Sequence, residues 1–274
     1  MPGYYGLPVI HKPHWKWQII CYFFLGGLSG ASYAVATVAS LAGGEANRRI
    51  SRVGYYLAFI AFVPSPVLLT LDLGRPERFH HMLRVLKWRS PMSIGSWLLL
   101  SFGGVSFLSA LLQARDDGLL GRANLVSQSL CRVHARTVGV LGLPLGLLLS
   151  GYTGVLVAAT AVPIWTKNHL LMGPLFLSSA VSSASSAISL ALSLGGGSHE
   201  VEGVERLEVA ALSAELALLG VNRARLGPTV ARPLIKGRTA ALYKLGVLRA
   251  GVLLPLSLHA RRRLWRSSPS RRES

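Results

Sequence analysis

Apolar stretches of membrane length recur along this chain, each closed by arginine, lysine or proline, and that alternation predicts helices crossing a bilayer. Five such stretches stand out at residues 17–42, 53–71, 93–113, 133–160 and 170–194. Two shorter ones, 204–221 and 240–258, carry Glu208, Glu215, Lys244 and Arg249 within them. The pattern therefore predicts an all-α polytopic transmembrane bundle of about seven spans over residues 17–258. A polar and aromatic segment, 1–16, precedes it, and a basic tail, 259–274, follows. The tail has no apolar face to bury, so it is expected to be disordered and to touch lipid headgroups. The opening residues lack the pattern of a cleavable leader, and the first apolar run is long enough to span.

Small residues predict close helix packing. Gly26, Gly27, Ser29, Gly30 and Ser32 line the first span, and the fifth is dense in serine from Ser178 to Ser189. Such faces let membrane helices approach one another, although a serine-lined polar path is a second reading of the fifth span.

Composition narrows the chemistry. The chain is 51% hydrophobic and 15% charged, with a net charge of +18. The arginines lie between the apolar runs and in the tail, so loop placement and anionic lipid account for them better than nucleic acid does. Lysine and arginine fall about equally on both sides of the bundle, which leaves its orientation open. Only two cysteines occur, Cys21 and Cys131, which cannot build a cysteine-ligated cluster, and no metal is expected in this chain. His134, His169, His199 and His259 fall at span ends or in loops, so no haem is expected between facing helices. His80 and His81 are neighbours whose side chains would point apart on a helix.

Three polar clusters fall on one membrane face of this topology. They are His14 with Trp15 and Trp17, the run Asp72 to Arg78, and Tyr152-Thr153-Gly154. Asp72 sits at a helix C-terminus, where the helix dipole disfavours an anion, so something beside it must stabilise the charge or it carries a proton. An interfacial ion pair with Arg75, one turn on, is the plainer reading. The Tyr152 hydroxyl lies well inside the boundary marked by Pro163 and Trp165 and needs a partner there. His14 reads equally as an interfacial anchor. Glu208 and Glu215 share one helical face and are expected to pair with Arg249 or Lys244, structurally or as a proton relay.

With these residues assembled, the chain resembles the membrane subunit of polysulfide-reductase-like respiratory complexes, the NrfD-type family. The matching blocks are Tyr22-Phe23-Phe24-Leu25-Gly26-Gly27-Leu28-Ser29-Gly30-Ala31, Leu71-Asp72-Leu73-Gly74-Arg75-Pro76 with Arg78-Phe79, Trp88-Arg89-Ser90-Pro91-Met92-Ser93, and Tyr152-Thr153-Gly154 running on to Pro163-Ile164-Trp165. They cover the first two-thirds of the chain in order. The resemblance implies an eight-helix bundle in a prokaryotic cytoplasmic (inner) membrane. It implies a quinone or quinol, menaquinone or ubiquinone, bound near one face and exchanging electrons with a ferredoxin-like iron–sulfur subunit joined to a molybdopterin catalytic subunit. Asp72 and Tyr152 would be its catalytic residues and His14, Asp72, Arg75 and Tyr152 its quinone-binding residues. Arg75, Arg78, Arg84, Lys87 and Arg89 would form an electropositive docking loop for the partner. After Leu253-Leu254-Pro255-Leu256 the sequence departs from the pattern, with the basic tail standing where an eighth span is expected. A membrane anchor without catalysis is the alternative function. A small-solute transporter fits less well, because no matched pair of Gly- or Pro-interrupted helices appears.

Overall fold

The computed structural model describes residues 15–73, 76–120, 135–196 and 201–266, with the side chains of Pro76, Arg78 and residues 263–266 left aside. Helices dominate the described residues. In chain order they include α1 (Trp17–Ala42), α2 (Glu45–Phe62), α3 (Pro64–Asp72), α4 (Pro91–Asp116), α5 (Ala135–Ala158), α6 (His169–Leu194) and α7 (Val201–Val230). A 3-10 helix, Pro76–Leu83, links α3 to α4. The last span starts as a short α-helix at Arg238, passes through a π-helix, Tyr243–Leu253, and ends as an α-helix, Leu254–Arg266.

Six helical stretches among the described residues are long and apolar enough to cross a membrane: α1, α2 with α3, α4, α5, α6 and Arg238–Arg262. The chain is thus a multi-pass membrane protein with an all-helical bundle. α7 has the length of a span but carries Glu202, Glu205, Arg206, Glu208 and Glu215. It leans on α6, and its helical geometry breaks at Gly227 (φ 73°), just before Pro228.

α1 is the axis of the bundle, packed by α2, α3, α5 and α6. Its small residues allow this. A side chain at Gly30 would run into the backbone carbonyl of Gly146 on α5, and one at Gly54 on α2 would strike Ala36. Gly154 on α5 likewise touches the Met172 backbone of α6, so the small-residue faces serve helix approach. Tyr22, Tyr33, Phe102 and Leu149 fill the core between α1, α4 and α5. The Tyr33 hydroxyl is satisfied there by Ser109 Oγ at 2.8 Å and the Val138 carbonyl at 3.1 Å.

Boundaries differ most from those read in the sequence at the second, sixth and last spans; the sixth, read as 204–221, is α7, Val201–Val230. The second span begins at Glu45 rather than near 53, because Arg48, Arg49 and Arg52 face outward while Ile50 and Ser51 on the same turns are buried. The last helix runs to Arg266, through residues expected to be disordered. Contacts to α7 hold it: His259 meets Glu208, and Arg262 donates to Glu205 at 3.1 Å.

Candidate functional site

The start of α1, the end of α3, the start of α4 and the end of α5 lie at one end of the bundle. Pro91 opens α4 at a position where its missing N–H costs nothing, and Ser90 Oγ caps the turn by accepting from the Ser93 N–H. The Pro91 carbonyl faces α5 and accepts the Tyr152 hydroxyl. That hydroxyl therefore has the partner its depth demands. Gly95, one turn along α4, makes room for the ring, since any Cβ there would collide with it. Tyr22 of α1, 2% exposed, lies near Tyr152. Trp15 closes the end of the bundle, stacking on Trp165 (5.6 Å between centroids, 12° between planes) and meeting Phe23 edge-on at 5.4 Å.

α3 ends at Asp72 because Leu73 turns to an extended conformation. The Asp72 Oδ1 is buried and has no hydrogen-bond partner among the described residues. An unmet buried carboxylate oxygen is costly and points to a partner from outside the chain or from residues not described. A cavity of about 300 Å³ lies between α3, the 3-10 helix and α4, with Leu69, Leu73, Phe79, Met82 and Leu83 among its apolar walls; Thr70 and Leu73, on either side of Asp72 in the chain, line it, while Asp72 itself does not. Thr70 and Ser96 supply its hydroxyls, and Ser96 directly follows the glycine that seats the Tyr152 ring.

Of the residues expected at this site, Tyr152 and Asp72 are thus both at this end of the bundle. His14 and Arg75 lie outside the described residues, as does the side chain of Arg78. Arg84, Lys87 and Arg89 are exposed on the segment leading into α4, together with Trp88, 78% exposed. Tyr22, Gly95, Thr70 and Ser96 were not singled out from the sequence. Tyr22 stood inside a matching block, whereas Gly95 and Ser96 resembled any other small residues of a membrane helix. His80 and His81 do not point apart: on the exposed 3-10 helix their rings meet edge-on at 4.4 Å.

A second polar cluster lies toward the opposite end, between α6, α7 and the last helix. Glu208 Oε1 accepts from Ser186 Oγ at 2.7 Å and lies 3.3 Å from His259 Nε2. Glu215 faces the Ser179 hydroxyl. The expected pairing of these glutamates with Lys244 or Arg249 does not occur. α7 turns their face toward α6, while Lys244 Nζ donates to the Ile235 carbonyl at 3.2 Å. His259, expected at a span end or in a loop where the tail begins, lies within the helix Leu254–Arg266 and supplies the contact instead.

Similarity to known proteins covers nearly the whole chain. Residues 10–270 match the family described as polysulphide reductase, NrfD, so the likeness extends well past the blocks in the first two-thirds. The chain is 28% identical to a protein NrfD homolog of Haemophilus influenzae over 92% of its own length and 85% of that protein's. It is also 32% identical to a selenate reductase subunit of Mesobacillus selenatarsenatis, over 30% of this chain and 19% of that one. On the family match across its described helices, the chain belongs to the polysulphide reductase NrfD family.

Proposed function

We propose that this chain is the membrane subunit of a multi-subunit oxidoreductase and that it binds quinone or quinol at the Asp72 and Tyr152 end of the bundle. One observation carries the reading: an apolar cavity of about 300 Å³ is lined by Thr70 and Leu73, on either side of Asp72 in the chain, and the buried Asp72 Oδ1 has no partner among the described residues. That volume is at the lower end of the roughly 300 to 1,000 Å³ of small-molecule sites, and apolar walls with a few hydroxyls suit a flat ring with two oxygens.

When bound, a quinol supplies two electrons and releases two protons as it is oxidised. The protein's part is to receive those protons and fix the ring. Asp72 would accept the two protons in turn, releasing the first to water at this face of the bundle before taking the second, once the Leu73 segment beside it opens its carboxylate to the cavity. Thr70 and Ser96, whose own hydroxyl protons go to the Pro66 and Met92 carbonyls, can accept from the quinol hydroxyls, and the cavity's walls are otherwise apolar. Tyr152, held by Pro91 and seated on Gly95, fixes the start of α4 against α5 and so positions Ser96, the residue after Gly95, in the cavity wall. With two cysteines in the sequence, the chain has no thiolate set for a cluster, so electrons pass to an iron–sulfur partner. The exposed Arg84, Lys87 and Arg89 offer that ferredoxin-like partner a positive surface, and a molybdopterin subunit would lie beyond it. A prokaryotic cytoplasmic membrane is the setting this assembly requires.

The test is quinone content and quinol oxidation of affinity-purified complex carrying Asp72→Asn or Tyr152→Phe, after equal assembly has been shown. Loss of both in Asp72→Asn supports the reading. Full retention in both variants would make the chain an anchor that holds its partners at the membrane without reacting with quinone.

A further inference from the structure

The last span differs from every other in its surroundings. In α1, 67% of the apolar window is buried inside the bundle, whereas in Arg238–Arg262 only 6% is. Lipid alone would explain an apolar helix so exposed, but this helix is not wholly apolar. Arg249 lies at its middle and is exposed, and its guanidinium makes no hydrogen bond or ion pair among the described residues.

Position decides what could satisfy it. Arg238 and Arg262 mark the two ends of the span, and Arg249 is about 15 Å or more along the helix from either. That is beyond the reach of an extended arginine side chain, so the guanidinium meets phosphates at either surface only where the bilayer thins around it, at a cost that a partner would remove. Lys244, nearer one end, shows the contrast: its ammonium turns back to the Ile235 carbonyl. The carboxylates of α7, which packs on this span, are engaged elsewhere, Glu208 with Ser186 and His259, and Glu215 toward Ser179. A second copy docking symmetrically on this face would set Arg249 against Arg249.

The surface around Arg249 suits a helix. Leu245, Ala250, Leu253, Leu254 and Ser257 form a shallow groove with it. Gly246, where an added Cβ would touch nothing, leaves the neighbouring surface open to close approach. We propose that Arg249 and this groove receive a transmembrane helix of another polypeptide that carries an aspartate or glutamate at mid-bilayer depth. An arginine in hydrocarbon is stabilised by a carboxylate that can pair bidentately, and the same contact covers the apolar wall on either side. This inference depends on the chain being a membrane protein, not on its binding quinone.

The experiment places a photo-crosslinking residue at Leu253, with Arg249 intact, in full-length chain within native membranes. The adduct is then identified by mass spectrometry. The expected adduct is a membrane-spanning peptide of a different protein containing Asp or Glu. Its yield should fall about tenfold or more in Arg249→Leu and Arg249→Glu, since each removes one partner of a desolvated charge pair, and should hold in Arg249→Lys. Exchanging charges, Arg249→Glu with the partner's acid changed to arginine, should restore it. Adducts to lipid alone or to a second copy, or a yield unchanged by Arg249→Leu at equal chain levels, would overturn the proposal.

Discussion

Two buried acidic sites in this bundle sit in opposite circumstances. Glu208, between α6, α7 and the last helix, has a hydroxyl and an imidazole on one oxygen. Asp72, at the end of α3, leaves an oxygen unpartnered among the described residues, and its neighbours Thr70 and Leu73 line an apolar cavity. A satisfied carboxylate holds helices together; an unsatisfied one is available to a ligand. The contrast teaches that burial alone does not separate structural acids from reactive ones. The state of the oxygens does.

The largest effect should come at Asp72. Asp72→Asn keeps the shape and removes the base, and quinol oxidation per assembled complex should fall by about two to four orders of magnitude. Steady-state turnover with a soluble quinol, at matched complex concentration, checks this. Next comes Glu208→Leu, which strands His259, while Ser186 keeps the Ser182 carbonyl, and should cost about 3 kcal/mol of stability, read as a lower thermal unfolding temperature in detergent. Adding His259→Leu should recover most of that loss, because two apolar side chains replace the pair. A smaller effect is expected from Gly95→Ala. Its methyl group displaces the Tyr152 ring from Pro91, at about 1 to 3 kcal/mol, and should weaken quinone retention and stability together. The smallest should follow neutralisation of Arg84, Lys87 and Arg89. Their exposure limits each to roughly 1 kcal/mol or less, seen as a reduced salt dependence of partner binding rather than as unfolding.

Much of the fold was legible because bilayer thickness imposes a length on every span. The first span was read as 17–42, the bounds of α1, and the fifth differs from α6 by a single residue at its start. The second was read short because arginines signal an interface in a sequence, yet Arg48, Arg49 and Arg52 occupy the outer face of a helix already under way. The basic end of the chain read as tail for a similar reason. Its helix is organised by two specific contacts, His259 to Glu208 and Arg262 to Glu205, which no periodicity reveals. At the candidate site, Asp72 and Tyr152 were visible because a polar residue inside an apolar run is conspicuous. Gly95 was not, since its importance is the absence of a side chain under a particular ring. Nor could the pairing of Glu208 and Glu215 be foreseen, because it depends on which way α7 is rotated against α6.

The contrast between the two acids is tested most directly by measuring, on the same purified complex, quinol turnover and thermal unfolding for Asp72→Asn beside Glu208→Gln. Asp72→Asn should lose turnover at an unchanged unfolding temperature, while Glu208→Gln should unfold earlier but keep its turnover per assembled complex. The reverse pattern, with turnover surviving Asp72→Asn and lost in Glu208→Gln, would contradict it.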